Sequence, residues 1–180
     1  ELDKQGNEIL PENNEQNIKV SSVAFDAGGY YQIPLQFYLT KGTHTLSYVP
    51  GRGNFAVSGF KLSQFKKTAT YKEYLEQFSN QEIVTDYESI VEAEDYSHKS
   101  NSSLLPVNDK TSAATSPSSP SKIILNTVGG TSWSVNGQWI EWDFKVSKSG
   151  MYRIGVRYLQ NFLSGMVSNR KLTIDGVLPF

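Results

Sequence analysis

Paired carboxylates, two histidines and three tryptophans are the side chains of this chain from which chemistry could be built. Glu92 with Glu94, and Glu141 with Asp143, stand two apart. An extended strand puts such pairs on one face, about 7 Å apart at the backbone. A glycosidase needs two carboxyl groups at a set separation with one of them kept protonated, but alternation alone accounts for this spacing and nothing marks a raised acid. His44 belongs to an alternating segment and His98 to a polar loop, and neither has a nucleophile motif beside it. The glycine clusters lack the strand-to-helix setting of a phosphate loop. The residues therefore point away from catalysis.

Sugar recognition makes a different demand. A sugar ring offers an apolar C–H face, so its site takes an aromatic platform ringed by amide, carboxylate or guanidinium groups. Trp133 is the first candidate platform, because it lies in the polar stretch TSWSVNG and not in an alternating one. Trp139, on the side opposite Ile140 and Trp142, is the second. Each has a plainer alternative: Trp133 as a lid folded onto the protein, and Trp139 packed beneath a Ser-rich loop.

The elements that must carry these residues are mostly strands. Ile140, Trp142, Phe144 and Val146 alternate with polar residues, and Tyr152, Ile154, Val156 and Tyr158 repeat the pattern after Ser147-Lys148-Ser149-Gly150. This predicts a hairpin whose Gly150 supplies a positive φ. Leu35, Phe37 and Leu39 with His44, Leu46 and Tyr48 predict a second hairpin, Pro50 to Gly53 a turn, and Phe55 to Leu62 a further strand. Residues 83–96 predict a strand centred on Ile90 to Glu94, Ile123 and Leu125 another, and residues 170–174 a last one closed by the turn dipeptide Asp175-Gly176. One segment has the helical period: Tyr71, Tyr74, Leu75 and Phe78, with Thr70 and Glu73 spaced as a capping box, predict a helix over 68–79. Residues 1–20 read as a loop or arm, and residues 97–121, rich in Ser, Asn, Thr and Pro, as a long surface loop with no packed face. The sum is an all-β chain of about eight strands and one helix, a two-sheet antiparallel sandwich by the layer rules.

Composition is compatible with that reading. The 180 residues are 38% hydrophobic, 12% aromatic and 19% charged, enough for one well-filled core. A net charge of −1 gives no general field for nucleic acid or an anionic membrane. The absence of Cys excludes disulfides, thiolate catalysis and zinc–thiolate sites, and fits an exported bacterial protein. No window approaches the ~18 consecutive apolar residues of a membrane span, so this segment is not expected to insert in a membrane. Glu1 does not open a signal peptide, so a secreted protein is expected to have lost its targeting segment.

Several motifs together resemble a known family. IVEAEDY, GGTSW, GQWIEWDFKV, SGMYRIGVRY and Asn161, across residues 90–161, resemble the N-terminal part of galactose-binding-like jelly rolls, the fold of many carbohydrate-binding modules. The segments KSNSSLLPVNDKTSAATSP, KIILNTVGG and RKLTIDGVLPF are similar to modules attached to extracellular solute-binding proteins of sugar transporters (ABC transporters) in Gram-positive bacteria. Residues 30–62, with a Gly-x-His-Thr hairpin, resemble the C-terminal part of the same module.

The order is permuted. A C-terminal-like half (21–65), a connecting helix (68–79) and an N-terminal-like half (87–180) either close into one β-sandwich over 21–180 or span the junction of two modules. The single sandwich is the favoured reading, because separate halves would leave large apolar faces in water. The resemblance implies an extracellular or cell-surface, non-catalytic module that binds oligo- or polysaccharide as part of a larger multidomain chain. It also implies Asn161 as a sugar contact; beside Trp133 and Asn161, Asn126 or Arg157 is the further candidate for fixing sugar hydroxyls. It further implies a structural calcium held through Glu92 and Glu94. Ser58 stands where the family's further Asp ligand would fall, and solvated strand carboxylates are the alternative. A structural module that docks parts of a larger protein through the Tyr71, Tyr74, Leu75 and Phe78 stripe is the competing function.

Overall fold

A computed structural model describes residues 1–17, 19–26, 28, 30–31, 33–49, 56–64, 67–160, 164–165 and 167–180. The chain divides into two units. One comprises Glu1–Leu35 with Tyr87–Ser147, the other Gln36–Asp86 with Lys148–Phe180. The described chain is mostly non-helical, with small antiparallel two-stranded sheets and one helix.

In the first unit, β1 (His98–Lys99) pairs antiparallel with β4 (Ile140–Glu141), and β2 (Pro106–Val107) with β3 (Thr127–Val128). Serine hydroxyls extend the first ladder at both ends: Ser100 Oγ accepts from Trp139 N at 2.9 Å, and Ser97 Oγ from Asp143 N at 2.9 Å. Leu104, Leu125 and Ile140 form the apolar core, and Leu104 is fully enclosed. Two features depart from the sequence reading. Residues 97–121 supply core: the apolar run Leu104-Leu105-Pro106-Val107 is hidden in the segment's average polarity but turns Leu104 and Pro106 inward. Residues 1–9 are ordered by Asp3, whose carboxylate accepts from the Gln5 and Asn7 backbones, both at 2.8 Å. They then run along residues 123–125, where Glu8 N donates to Ile123 O at 3.0 Å and Asn7 Oδ1 accepts from Ile123 N at 2.9 Å. The second departure is in the partner of β4, which is β1 and not residues 152–158. Alternation specifies which face of a strand is apolar, and does not name the strand that pairs with it.

The second unit holds α1 (Tyr71–Gln77), shorter than its predicted span. Its start is as the sequence reads. Glu73 N donates to Thr70 Oγ1 at 3.3 Å, and Thr70 N donates to Glu73 Oε2 at 2.7 Å, so two amides of the first turn find partners. Tyr74 N and Phe78 N complete the turn bonding at the two ends. Ile83 pairs with Met151 as an isolated parallel bridge, with Met151 N on Glu82 O at 2.8 Å and Val84 N on Met151 O at 3.1 Å. Gly150 serves this bridge and not a positive-φ hairpin. A Cβ there would lie 2.6 Å from Val84 Cγ2 and 2.8 Å from Glu82 O. At the C-terminal end, Ile174 and Val177 exchange both backbone bonds at 2.9 Å around Asp175 (φ 49°) and Gly176 (φ 74°), the two-residue hairpin that Asp-Gly predicts. The alternating residues Phe37, Leu46, Tyr48, Ile154, Val156 and Tyr158 lie exposed. The predicted turn 50–53 and Phe55 lie outside the described residues.

Candidate functional site

Trp133 sits in a loop shaped by its glycines. Gly129 (φ 104°) and Gly130 (φ 62°) adopt conformations that side chains resist, and they lead into a single 3-10 turn, Gly130–Ser132. Trp133 N closes the turn on Gly130 O at 3.2 Å, and Ser132 Oγ donates to Gly129 O at 2.7 Å. The indole then lies on Gly129 itself: a Cβ at that position would stand 3.0 Å from Trp133 Cε3 and 3.2 Å from its Cβ. From the other side Gln138 holds the loop. Its backbone carbonyl accepts from Trp133 Nε1 at 3.3 Å, and its side-chain Oε1 accepts from Val135 N at 3.0 Å. Trp133 is half-buried, and its indole is fixed in direction.

Trp139 follows at the start of β4 and is 37% exposed. Its backbone is held on both sides by Ser100, N to Oγ at 2.9 Å and O from N at 3.0 Å. Trp142 has a different task. Its Nε1 donates to Ala93 O at 2.9 Å and ties the 92–95 turn to the β4 segment. The alternating pattern places Trp142 on an apolar face but gives no sign of this bond, which depends on a carbonyl far away in sequence.

Asn126 is buried and works for the scaffold. Its Oδ1 accepts from Asp109 N at 2.8 Å, and its Nδ2 donates to Asp109 O at 3.0 Å and to Pro117 O at 2.8 Å. Both amide protons are thus committed, and none is left for a sugar hydroxyl. Arg157 is exposed and belongs to the second unit, whereas Trp133, Trp139 and Asn126 belong to the first. Asn161 lies outside the described residues.

Glu92 and Glu94 occupy a turn and not a strand face: Asp95 N donates to Glu92 O at 3.2 Å. Burial, then the neighbouring charges of Glu92, Asp95 and Glu8, push the Glu94 carboxyl above its usual range, against an opposing hydrogen bond from its own backbone. Its Oε2 is shielded from water and has no hydrogen-bond partner among the described residues. An orphaned oxygen of this kind would suit a cation, but among the described residues no three Asp, Glu, His or Cys side chains stand together as ligands. As they stand, these residues do not assemble the implied calcium shell.

An open groove of about 560 Å³ lies elsewhere in the first unit, with Ile9, Leu10, Val107, Ile123 and Leu125 among its lining. Its acidic members are already engaged: Asp3 with Asn7, and Glu8 with Leu125 N. Among the described residues no helix is long and apolar enough to cross a membrane. No family model, curated protein or solved structure matches this chain.

Proposed function

We propose that the chain is a non-catalytic carbohydrate-binding module of an extracellular bacterial sugar-uptake or polysaccharide-handling protein. The observation that carries the reading is the seat of Trp133: a half-buried indole in the predominantly polar stretch 131–137, lying on Gly129 and held by the Gln138 carbonyl. A platform fixed in advance loses little side-chain entropy on meeting a sugar ring. Asn126 keeps its scaffold bonds in this reading and is not a sugar contact. In this reading the exposed alternating residues, Phe37 and Tyr158 among them, belong to strands of a two-sheet sandwich that closes against a further layer of this chain or of a larger protein. Affinity electrophoresis in gels carrying plant or bacterial polysaccharides tests it. At least one glycan should retard the folded protein, and Trp133→Ala should migrate freely. Free migration of the unmodified protein through every glycan would refute the reading.

One observation favours a second reading, a docking module. The α1 rings and Phe180 cluster, with Tyr71 and Tyr74 centroids 4.9 and 5.4 Å from that of Phe180. Tyr71 still remains 57% exposed. Exposed aromatic rings on a short helix are a surface that a protein partner could cover. Tyr71→Ser leaves glycan retardation unchanged under the first reading. Under the second, no glycan retards either protein, and Tyr71→Ser weakens association with the rest of the larger chain.

A further inference from the structure

The loop that seats Trp133 contains the one Asn-Gly pair of the sequence, Asn136-Gly137. We propose that Asn136 is a site of spontaneous deamidation, and that its conversion releases Trp133 from its seat. Val135 to Gln138 form a β-turn, closed by Gln138 N on Val135 O at 3.2 Å. Gly137 has φ 84°, as the third position of a type II turn requires. In such a turn the C=O and N–H of the peptide joining the two central residues project out of the hydrogen-bonded ring, so that peptide can flip without breaking the closing bond. Glycine accepts either sign of φ after the rotation. Nothing stands within 4 Å of where a Gly137 Cβ would be, and both residues are exposed to solvent. The segment is therefore open on the Cβ side of Gly137 and in contact with water and base.

The step is an intramolecular acyl transfer. Solvent base takes the Gly137 amide proton, and the nitrogen attacks Asn136 Cγ. The N–Cγ bond forms, the Cγ–Nδ2 bond breaks, and Nδ2 leaves as ammonia after taking up a proton. Water then opens the resulting succinimide at one carbonyl or the other, giving aspartate or isoaspartate.

Isoaspartate carries an added methylene in the main chain within the Val135–Gln138 turn. Both Gln138 contacts depend on that turn's length: Oε1 with Val135 N at 3.0 Å, and the carbonyl with Trp133 Nε1 at 3.3 Å. Lengthening it moves the carbonyl that orients the indole. The chemistry stands on the loop alone, whether or not the loop binds sugar.

The test is ageing of the whole protein at neutral and at mildly alkaline pH, followed by digestion, fragment mass analysis and enzymatic isoaspartate labelling. Asn136 should convert several-fold faster than Asn101, which precedes a serine and whose Oδ1 is held by Ser103 N at 2.8 Å. The rate should rise with pH, tryptophan emission should change on the same time course, and Asn136→Gln should abolish both effects. Conversion of any other asparagine first, or an unchanged Asn136, overturns the site. Conversion with unaltered emission overturns its link to Trp133.

Discussion

Replacing Asn126 by alanine separates a scaffold residue from a ligand contact. The side chain makes three hydrogen bonds of 3.0 Å or less, to Asp109 N, Asp109 O and Pro117 O, with a longer one from Thr127 Oγ1 at 3.4 Å, and is 7% exposed. At about 1 kcal/mol net for each bond, Asn126→Ala should cost about 3 kcal/mol. Stranding the three part-buried backbone groups can only add to this. For a chain of this length each kcal/mol lowers Tm by about 3 °C, so the midpoint should fall by about 9 °C. The assay is equilibrium unfolding in urea followed by tryptophan emission, with a thermal scan beside it. Asn126→Asp should be destabilised as well, because it sets a carboxylate against the Asp109 and Pro117 carbonyls. Its deficit should grow as pH rises and the new acid ionises. A loss below about 0.5 kcal/mol for Asn126→Ala, the range of ordinary surface changes, would refute the reasoning. Asn126 would then be available to a sugar, as its candidacy from the sequence requires.

Other substitutions probe the remaining parts. Leu104→Ala empties a fully enclosed position and should cost about 3 kcal/mol in the same unfolding assay; a loss under about 1 kcal/mol would mean the core lies elsewhere. Glu94→Gln should stabilise the protein at neutral pH. Burial and the nearby Glu92, Asp95 and Glu8 carboxylates raise the native pKa of Glu94, so the native state holds this proton more tightly than the unfolded state. Stability is then lost as pH climbs from the usual carboxylate range to the raised value, and the amide escapes that loss. Unfolding midpoints across acid and neutral pH should show the advantage of Glu94→Gln vanishing in acid; a pH-independent difference contradicts the assignment. Gly129→Ala combines φ 104° with a Cβ 3.0 Å from Trp133 Cε3. It should shift tryptophan emission and cost about 1–3 kcal/mol; unchanged emission would mean that Gly129 does not seat the indole.

Legibility in the sequence followed the range of the interactions. The Thr70–Glu73 cap and the Asp175-Gly176 turn are made within four residues, by groups whose chemistry admits few alternatives, and both stand where the sequence puts them. Trp133 was legible as a residue outside the alternating pattern, though not the Gly129 and Gln138 contacts that hold it. Long-range choices were hidden. Alternation around Ile140 does not distinguish His98–Lys99 from Tyr152–Tyr158 as the pairing segment, and serine hydroxyls at 97 and 100 reinforce the choice made. Leu104 was masked by the serines and asparagines around it. Glu92 and Glu94 share a strand face only if the segment is extended, and a turn bond from Asp95 to Glu92 O removes that condition. Asn126 read as a spare amide because the backbone groups that occupy it come from residues 109 and 117.

The most direct test of the account is a calorimetric titration of the folded protein with oligosaccharides of any glycan that retards it in the gel, set beside Trp133→Ala. Saturable binding is expected, and it should disappear in Trp133→Ala while that variant remains folded at the temperature of the titration. Equal binding by both proteins would remove Trp133 from the site and contradict the central claim.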